Sequence, residues 1–248
     1  MTLPRPVRPG ATIAITRRCV FRQFLLKPTR RVNLALRYGL AEAANEFGVE
    51  VHAFVAMSNH VHIVCTDPDG VYPLFLERFF KLTAKCLNCL YGRWGPVWDA
   101  EQASVIHIID DRAALGWVLY SLCNPVKANL VDRVGHWPGV TSWHATVNDK
   151  LLGATRPTWF FNPSGTMPTE AWIAITPPPM FEGSSDEWRA LVKRKVADRE
   201  ATLARARKGR VLGRKAVLAQ SRHDSSVSPE PHRELQRRVA GGRKWPRI

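Results

Sequence analysis

The chain has 248 residues, of which 45% are hydrophobic, so it is long enough to bury a core in one domain plus a smaller appendage. No stretch approaches the about 18 consecutive apolar residues of a membrane-spanning helix, and three prolines within the first ten residues leave no apolar segment of a secretory signal. Five cysteines without a repeated spacing argue against a disulfide framework. We therefore expect a cytoplasmic protein without a membrane partner.

The net charge of +15 is unevenly distributed along the chain. Residues 1–31 carry +8 and residues 184–248 carry +11, whereas residues 32–183 carry −4. Cationic flanks around a nearly neutral body favour a polyanionic partner, with nucleic acid ahead of an anionic membrane surface. Solubilising surface charge is the alternative explanation.

The first part of the chain predicts a strand, a helix and two further strands. Alternating β-branched residues favour a strand at 12–16. Helix-spaced apolar residues follow from 28 to 47, and Gly48 ends this pattern. Two β-rich runs, 49–56 and 61–66, are separated by a spacing suited to adjacent antiparallel strands.

The next elements complete an α+β pattern. A helix is predicted at 71–91, a strand at 103–109, and a helix from 112 to about 123, with Asp110 and Asp111 favouring its start. The order of strand, helix, strand, strand, helix, strand and helix fits a mainly antiparallel sheet with helices packed on it. We expect a ferredoxin-like arrangement within a main domain of residues 1–150.

Residues after 150 are predicted to be less regular. Prolines interrupt the candidate elements of 151–183, apart from a strand-like run at 172–176, so this segment is interpreted as a linker. A capping box from Ser184 to Glu187 predicts a basic helix that reaches about residue 207. Residues 184–248 are therefore expected to form a basic, helical and partly disordered extension. Its helix is either an additional DNA clamp or a solvated helix.

Two histidines provide the sharpest local signal for chemistry. His60 and His62 stand two residues apart at the start of a predicted strand, where alternate side chains point to the same face. Both imidazoles could therefore bind one metal ion while Val61 and Ile63 enter the core. Paired core or surface histidines show the same spacing by chance, so this spacing alone does not establish a metal site.

A family resemblance adds context to the histidine pair. The segment 57–62, followed by a hydrophobic strand and Asp67-Pro68, resembles the H-hydrophobic-H element of the HUH single-tyrosine transposases. The segment 120–128, YSLCNPVKA, resembles the tyrosine helix and Asn-Pro-Val motif of the REP-associated tyrosine transposases in that superfamily. The resemblance covers about residues 4–145 and also takes in 9–12, 137–138 and 142–143.

The resemblance implies a role for each matching residue. His60 and His62 would be metal ligands, and Tyr120 would be the nucleophile. Related enzymes place a further polar ligand one turn after the tyrosine, which here is Asn124. Because a residue that precedes proline disfavours helical geometry, Asn124 could instead end the helix. The implied cofactor is a divalent metal, Mg²⁺ or Mn²⁺, which polarises the scissile phosphate.

The activity that the resemblance implies is cleavage and rejoining of single-stranded or hairpin DNA through a 5′-phosphotyrosine, by a monomer or a homodimer. The alternative is a catalytically inactive protein of the same fold that binds hairpin DNA. The basic residues expected to contact DNA are Arg5, Arg8, Arg17, Arg18, Arg22 and Lys127.

Other polar side chains are expected to pack or to face solvent. His52 has the strand parity of Phe54 and Ala56, so a core or supporting role is predicted for it. Asp99 and Glu101 could reach the metal, but they are better interpreted as solvated loop carboxylates. Packing or supporting roles are also expected for His107, Tyr38, Tyr72 and Tyr91.

Overall fold

A βαββαβ unit forms the first part of the computed structural model, which describes residues 6–226. Arg5 and the predicted extension beyond residue 226 lie outside these residues. The unit consists of β1 (Ala11–Arg18), α1 (Arg30–Glu46), β2 (Glu50–Ala56), β3 (His60–Asp67), α2 (Tyr72–Tyr91) and β4 (Ser104–Ile108).

The four strands form one antiparallel sheet in the order β2-β3-β1-β4. This order, with a helix after β1 and another after β3, is the ferredoxin-like arrangement that the sequence predicts. Each predicted strand and helix of the unit lies within two residues of its observed bounds. The α+β fold class is therefore confirmed.

Side-chain caps explain where the helices begin. The Thr29 hydroxyl accepts a hydrogen bond from Val32 N at the start of α1. The Asp67 carboxylate at the end of β3 accepts from the backbone N–H groups of Val71 and Tyr72, at 2.9 and 2.8 Å, and so fixes the start of α2. The Asp67 cap ties α2 to the end of β3.

The chain after β4 adds α3 (Asp111–Leu122), α4 (Asn124–Lys127), α5 (Trp143–Asn148), β5 (Leu152–Thr155), β6 (Glu170–Ile173), α6 (Ser185–Ala206) and α7 (Arg214–Ala219). No helix within residues 6–226 combines the length and apolarity needed to cross a bilayer.

The two faces of the sheet carry two apolar cores. Ile63 of β3 packs in the cluster that contains the buried side chains of α1 and α2. Val64, its neighbour, packs in the other cluster with Val118 and Leu122 of α3. Because strand side chains alternate between faces, even-numbered residues of β3 belong to the α3 face.

A β-bulge corrects the predicted orientation of His52. The register of β2 against β3 shifts between Val51 and Ala53, so one extra residue is inserted at His52. Its ring hydrogen-bonds to Thr66, whereas Phe54 packs on the α1 and α2 face. His52 therefore does not share the face of Phe54, as simple alternation predicted.

The later segments pack against the sheet domain. The strands β5 and β6 pair with each other and contact α1, although β5 was not predicted and β6 begins before the predicted run at 172–176. The predicted capping box at Ser184 is present, and α6 buries Trp188, Val192 and Val196 in the core that also contains α3. The division into domain, linker and extension stays a prediction.

Candidate metal and nucleophile site

The two histidines lie side by side at the start of β3. In the sheet register, His60 pairs with Arg18 of β1 and His62 pairs with Thr16. The ring centroids of the histidines are 4.8 Å apart with perpendicular planes, on the α3 face of the sheet. His62 is buried, while His60 is partly exposed.

Hydrogen bonds fix which nitrogen of His60 carries the proton. The Asn59 amide Nδ2 donates to Arg22 O and to Ser226 Oγ, at 3.1 and 2.9 Å. The Asn59 atom that lies 2.7 Å from His60 Nδ1 is therefore the carbonyl oxygen, which only accepts. Nδ1 of His60 consequently bears the proton, and Nε2 has the lone pair.

The same reasoning applies to His62. Its Nε2 lies 3.1 Å from Nδ2 of Asn124, an amide nitrogen that can only donate. Nε2 of His62 is therefore the acceptor, and Nδ1 donates to the Thr16 hydroxyl at 2.8 Å. Both histidines thus have their coordinating lone pair on Nε2, with Nδ1 held by a neighbouring side chain.

The electrostatics keep both imidazoles neutral. Burial, followed by the nearby charges of Arg18 and Lys127, lowers the pKa of His62 to about 4. Burial, with smaller effects of His62 and Arg18, lowers the pKa of His60 to about 3. Neutral imidazole is the form that binds a metal ion, so no proton has to leave either ring at pH 7.

Asn124 reaches the site because the helix is interrupted beside it. The helix α3 ends at Leu122, and α4 begins at Asn124 with Pro125 in its first turn. The sequence left open whether Asn124 ends a helix or approaches the histidines. The structure combines the two, since Pro125 breaks the helix while the buried Asn124 amide contacts His62.

Tyr120 approaches the histidines from the last turn of α3. Its ring centroid lies 5.3 Å from that of His62, with the planes at 84°. The ring centroid of Trp117 lies 5.5 Å from that of Tyr120, and the ammonium of Lys127 lies 4.9 Å from the Tyr120 ring centroid. These contacts position a partly exposed phenol beside His60 and His62.

The other tyrosines are held in packing roles. The hydroxyl of Tyr38 donates to Pro168 O at 2.7 Å, and that of Tyr91 donates to Leu25 O at 2.9 Å. Burial raises the pKa of both hydroxyls to about 12. Tyr72 is 3% exposed. Tyr120 is therefore the tyrosine that opens on the same cavity as the two histidines.

A basic cavity of about 600 Å³ opens in front of these residues. Its volume would admit a phosphodiester with part of a nucleotide. Arg8, by contrast, precedes β1 at the end of the strand opposite to Arg18, and the strand itself spans about 23 Å at the usual rise per residue. The charged side chains that line the cavity are Arg17, Arg18, Arg22, Asp99 and Glu101.

The donor set fits a divalent metal ion that also binds phosphate. Within residues 6–226 there is no cluster of three or more His, Cys, Asp or Glu side chains that could hold a metal. The available protein donors are Nε2 of His60, Nε2 of His62 and the Asn124 amide, whose carbonyl oxygen would face the ion after a flip of the amide. Such a neutral set leaves positions for phosphate oxygens and water.

Comparison with known proteins links this arrangement to one solved fold. No family model and no curated protein matches the chain. The structure of a REP-associated tyrosine transposase bound to a REP hairpin is similar with a TM-score of 0.51 at 19% sequence identity, over 74% of this chain and 98% of that one. The chain shares the fold of this transposase. The resemblance inferred from the sequence is thereby confirmed at the level of the fold.

A second solved structure is similar to a smaller part of the chain. It is that of a protein from Deinococcus radiodurans R1 named as a transposase, with a TM-score of 0.35 at 19% identity over 46% of this chain and 91% of that one. The common part is too small to support a conclusion about the site.

Three residues that support the candidate site are not among those that the sequence predicts. Thr16 orients His62, Asn59 orients His60, and Trp117 supports Tyr120. Asn59 lies within the segment 57–62 that carries the resemblance, so its position offered a signal. Thr16 and Trp117 offered none, because their roles depend on strand register and on the helix face.

Proposed function

We propose that this protein is a transposase-type enzyme that cleaves and rejoins single-stranded or hairpin DNA. Tyr120 is the nucleophile, and His60, His62 and Asn124 hold a divalent metal ion, Mg²⁺ or Mn²⁺. One observation carries this proposal: Tyr120 shares an arginine-lined cavity with the two histidines. All of these groups come from one chain, so a monomer can supply the site.

The chemistry follows from the positions of these groups. The Tyr120 oxygen attacks the scissile phosphorus, the bond from phosphorus to the 3′ oxygen breaks, and the tyrosine proton ends on that oxygen. The products are a 5′-phosphotyrosine and a free 3′ hydroxyl. Attack by a 3′ hydroxyl reverses the step and releases Tyr120, so the covalent bond conserves the energy needed for rejoining.

The protein contributes positioning and charge to this reaction. Arg17, Arg18 and Arg22 line the cavity where the phosphate would enter, and their guanidinium groups suit phosphate oxygens. A bound divalent ion would polarise the phosphate and neutralise the charge that develops during attack. Asn59 and Thr16 would hold the two imidazoles in the tautomer that leaves Nε2 free for the ion.

A catalytically inactive hairpin-binding protein is the second candidate. The neutral donor set favours it, since His60, His62 and Asn124 contribute no carboxylate and would bind Mg²⁺ weakly without DNA. In this case the arginine-lined cavity would bind DNA, and the histidines would remain structural.

Covalent adduct formation separates the two candidates. The protein is incubated with Mg²⁺ or Mn²⁺ and labelled hairpin DNA that has single-stranded flanks, and denaturing electrophoresis detects protein-linked DNA. We expect an adduct with the unchanged protein and none with Tyr120→Phe, which removes only the attacking oxygen. Tyr91→Phe is the matched control and should retain the adduct. DNA binding without an adduct, across a panel of hairpin sequences and both metals, would favour the inactive candidate.

A further inference from the structure

An exposed phenylalanine directly precedes Arg22, a residue that lines the cavity of the candidate site. Phe21 belongs to the short 3₁₀ turn Val20–Arg22 that follows β1, and its side chain is 80% exposed. Single exposed apolar residues are common on protein surfaces, so exposure alone does not indicate a role.

The backbone of this turn is unusual. Phe21 has φ 51° and Arg22 has φ 56°, so two successive residues with a Cβ atom lie in the left-handed region. This region is unfavourable for residues other than glycine, and among those residues Asn and Asp are enriched in it. Such a conformation persists only where the surroundings enforce it, and it frequently marks a functional position.

The surroundings of the turn do enforce it. Hydrogen bonds run from Arg22 N to Cys19 O and from Gln23 N to Val20 O, each at 3.1 Å. Asn59 Nδ2 donates to Arg22 O, and the same amide accepts from His60 Nδ1 through its oxygen. One side chain therefore fixes both the turn that projects Phe21 and a histidine of the site.

The environment suits a nucleotide base. Arg18 and Arg22 would hold the phosphate backbone in the cavity, and Phe21, which precedes Arg22 in the same turn, has an uncovered ring. Basic grooves flanked by aromatic platforms bind single-stranded nucleic acid, because every unpaired base has a face that can stack. We propose that Phe21 stacks on an unpaired DNA base next to the phosphate that enters the cavity. This inference rests on the proposed DNA-cleaving function and assigns a residue that selects single-stranded flanks.

Binding measurements on the Tyr120→Phe protein test the proposal without cleavage. The ligands are a hairpin with a single-stranded flank, the same hairpin without the flank, and flanked hairpins with one abasic position each. Phe21→Ala should weaken binding of the flanked hairpin about 5- to 100-fold and leave the blunt hairpin unaffected, whereas Phe21→Trp should retain binding. Trp172→Ala, which removes an exposed ring on β6, is the matched control and should change neither affinity.

The abasic series locates the stacked base. At one flank position, removal of the base should weaken binding as much as Phe21→Ala does, and the two changes combined should add no further loss, since they remove the same contact. The fluorescence of a 2-aminopurine base at that position should be quenched by the protein with Phe21 and not by the Phe21→Ala variant.

The outcomes distinguish this inference from the proposed function. If Phe21→Ala binds both hairpins as Trp172→Ala does, or if it weakens the blunt hairpin equally, base stacking by Phe21 is wrong. Adduct formation by the protein with an intact Tyr120 is measured in parallel. If the adduct forms but Phe21→Ala does not change the affinity, the proposed function stands and only the stacking is wrong. If the unchanged protein does not bind DNA, both are wrong.

Discussion

His52 and the pair His60 and His62 occupy neighbouring strands, yet their surroundings differ in one decisive respect. Burial lowers the pKa of all three, that of His52 to about 4. His52 is completely buried, and its Nδ1 and Nε2 are hydrogen-bonded to Thr176 O and Thr66 Oγ1, at 2.9 and 2.8 Å. Within residues 6–226, the ring of His60 is hydrogen-bonded through Nδ1 alone, and it opens on the basic cavity.

The comparison shows which property distinguishes a candidate ligand from a core histidine. A neutral, buried imidazole is common to both regions. The coordinating lone pair of His52 is taken by the Thr66 hydroxyl, whereas that of His62 faces an amide that can flip and that of His60 faces the cavity. Position on the arginine-lined cavity, and not a lowered pKa, therefore distinguishes the site.

Removal of either cavity histidine should have the largest effect. In His60→Ala or His62→Ala, a metal ligand is lost. At a metal concentration only slightly above that of the protein, the rate of adduct formation should therefore fall by more than about 100-fold. Excess metal should restore part of the rate, since mass action offsets weakened binding, whereas it should restore nothing in Tyr120→Phe. An unchanged rate in both histidine variants would show that the reaction does not need a metal ion bound by these histidines.

Removal of the core histidine should affect stability instead. His52→Leu keeps most of the volume but leaves the Thr176 carbonyl without its histidine donor and the Thr66 hydroxyl with Thr12 as its remaining side-chain partner. We expect the free energy of unfolding to fall by about 2–4 kcal/mol, measured by denaturant titration. The metal affinity of the folded variant should match that of the unchanged protein. A selective loss of metal affinity would show that the two regions are not independent.

The threonines beside the two regions allow a finer comparison. Thr16 hydrogen-bonds to His62, and Thr12, on the same strand, hydrogen-bonds to Thr66 in the core. Thr16→Val should lower the metal affinity about tenfold, because the ring of His62 loses the group that fixes its tautomer. Calorimetric titration with Mn²⁺ measures this change. Thr12→Val is the matched control, and an equal loss in both variants would contradict a specific role for Thr16.

The smallest expected effect concerns the arginines at the two ends of β1. Arg18 lines the cavity, whereas Arg8 precedes the other end of the strand. Arg18→Gln should reduce the slope of log affinity against log salt by about 0.7 for single-stranded DNA, because one phosphate contact is lost. Arg8→Gln should leave the slope unchanged. The reverse result would place the DNA at the opposite end of the sheet.

The sequence predicted the sheet and its helices well because their apolar periodicity is strong. It could not predict the orientation of His52, since a β-bulge leaves no mark in a pattern of alternating residues. The strand β5 and the helices α5 and α7 were missed because prolines and short lengths obscure their periodicity.

The residues of the candidate site were likewise only partly predictable from the sequence. His60, His62 and Tyr120 were found through motifs, whose residue spacing is visible in the chain. Thr16 contacts His62 because of the strand register. Phe21 lies in a left-handed turn that contains no glycine or asparagine by which it could be predicted. Register and backbone conformation depend on tertiary packing, which a single sequence does not display.

Peptide mapping of the covalent adduct would identify the nucleophile. After reaction with hairpin DNA and a divalent metal, the protein is digested with nuclease and trypsin, and peptides that carry a residual nucleotide are identified by mass spectrometry. Tyr120 is the one tyrosine in the tryptic peptide 113–127, and Tyr91 is the one in 86–93. We expect a nucleotide on 113–127, attached through a tyrosine phosphodiester. A nucleotide on 86–93, or none on any peptide of a protein that binds the same DNA, would contradict it.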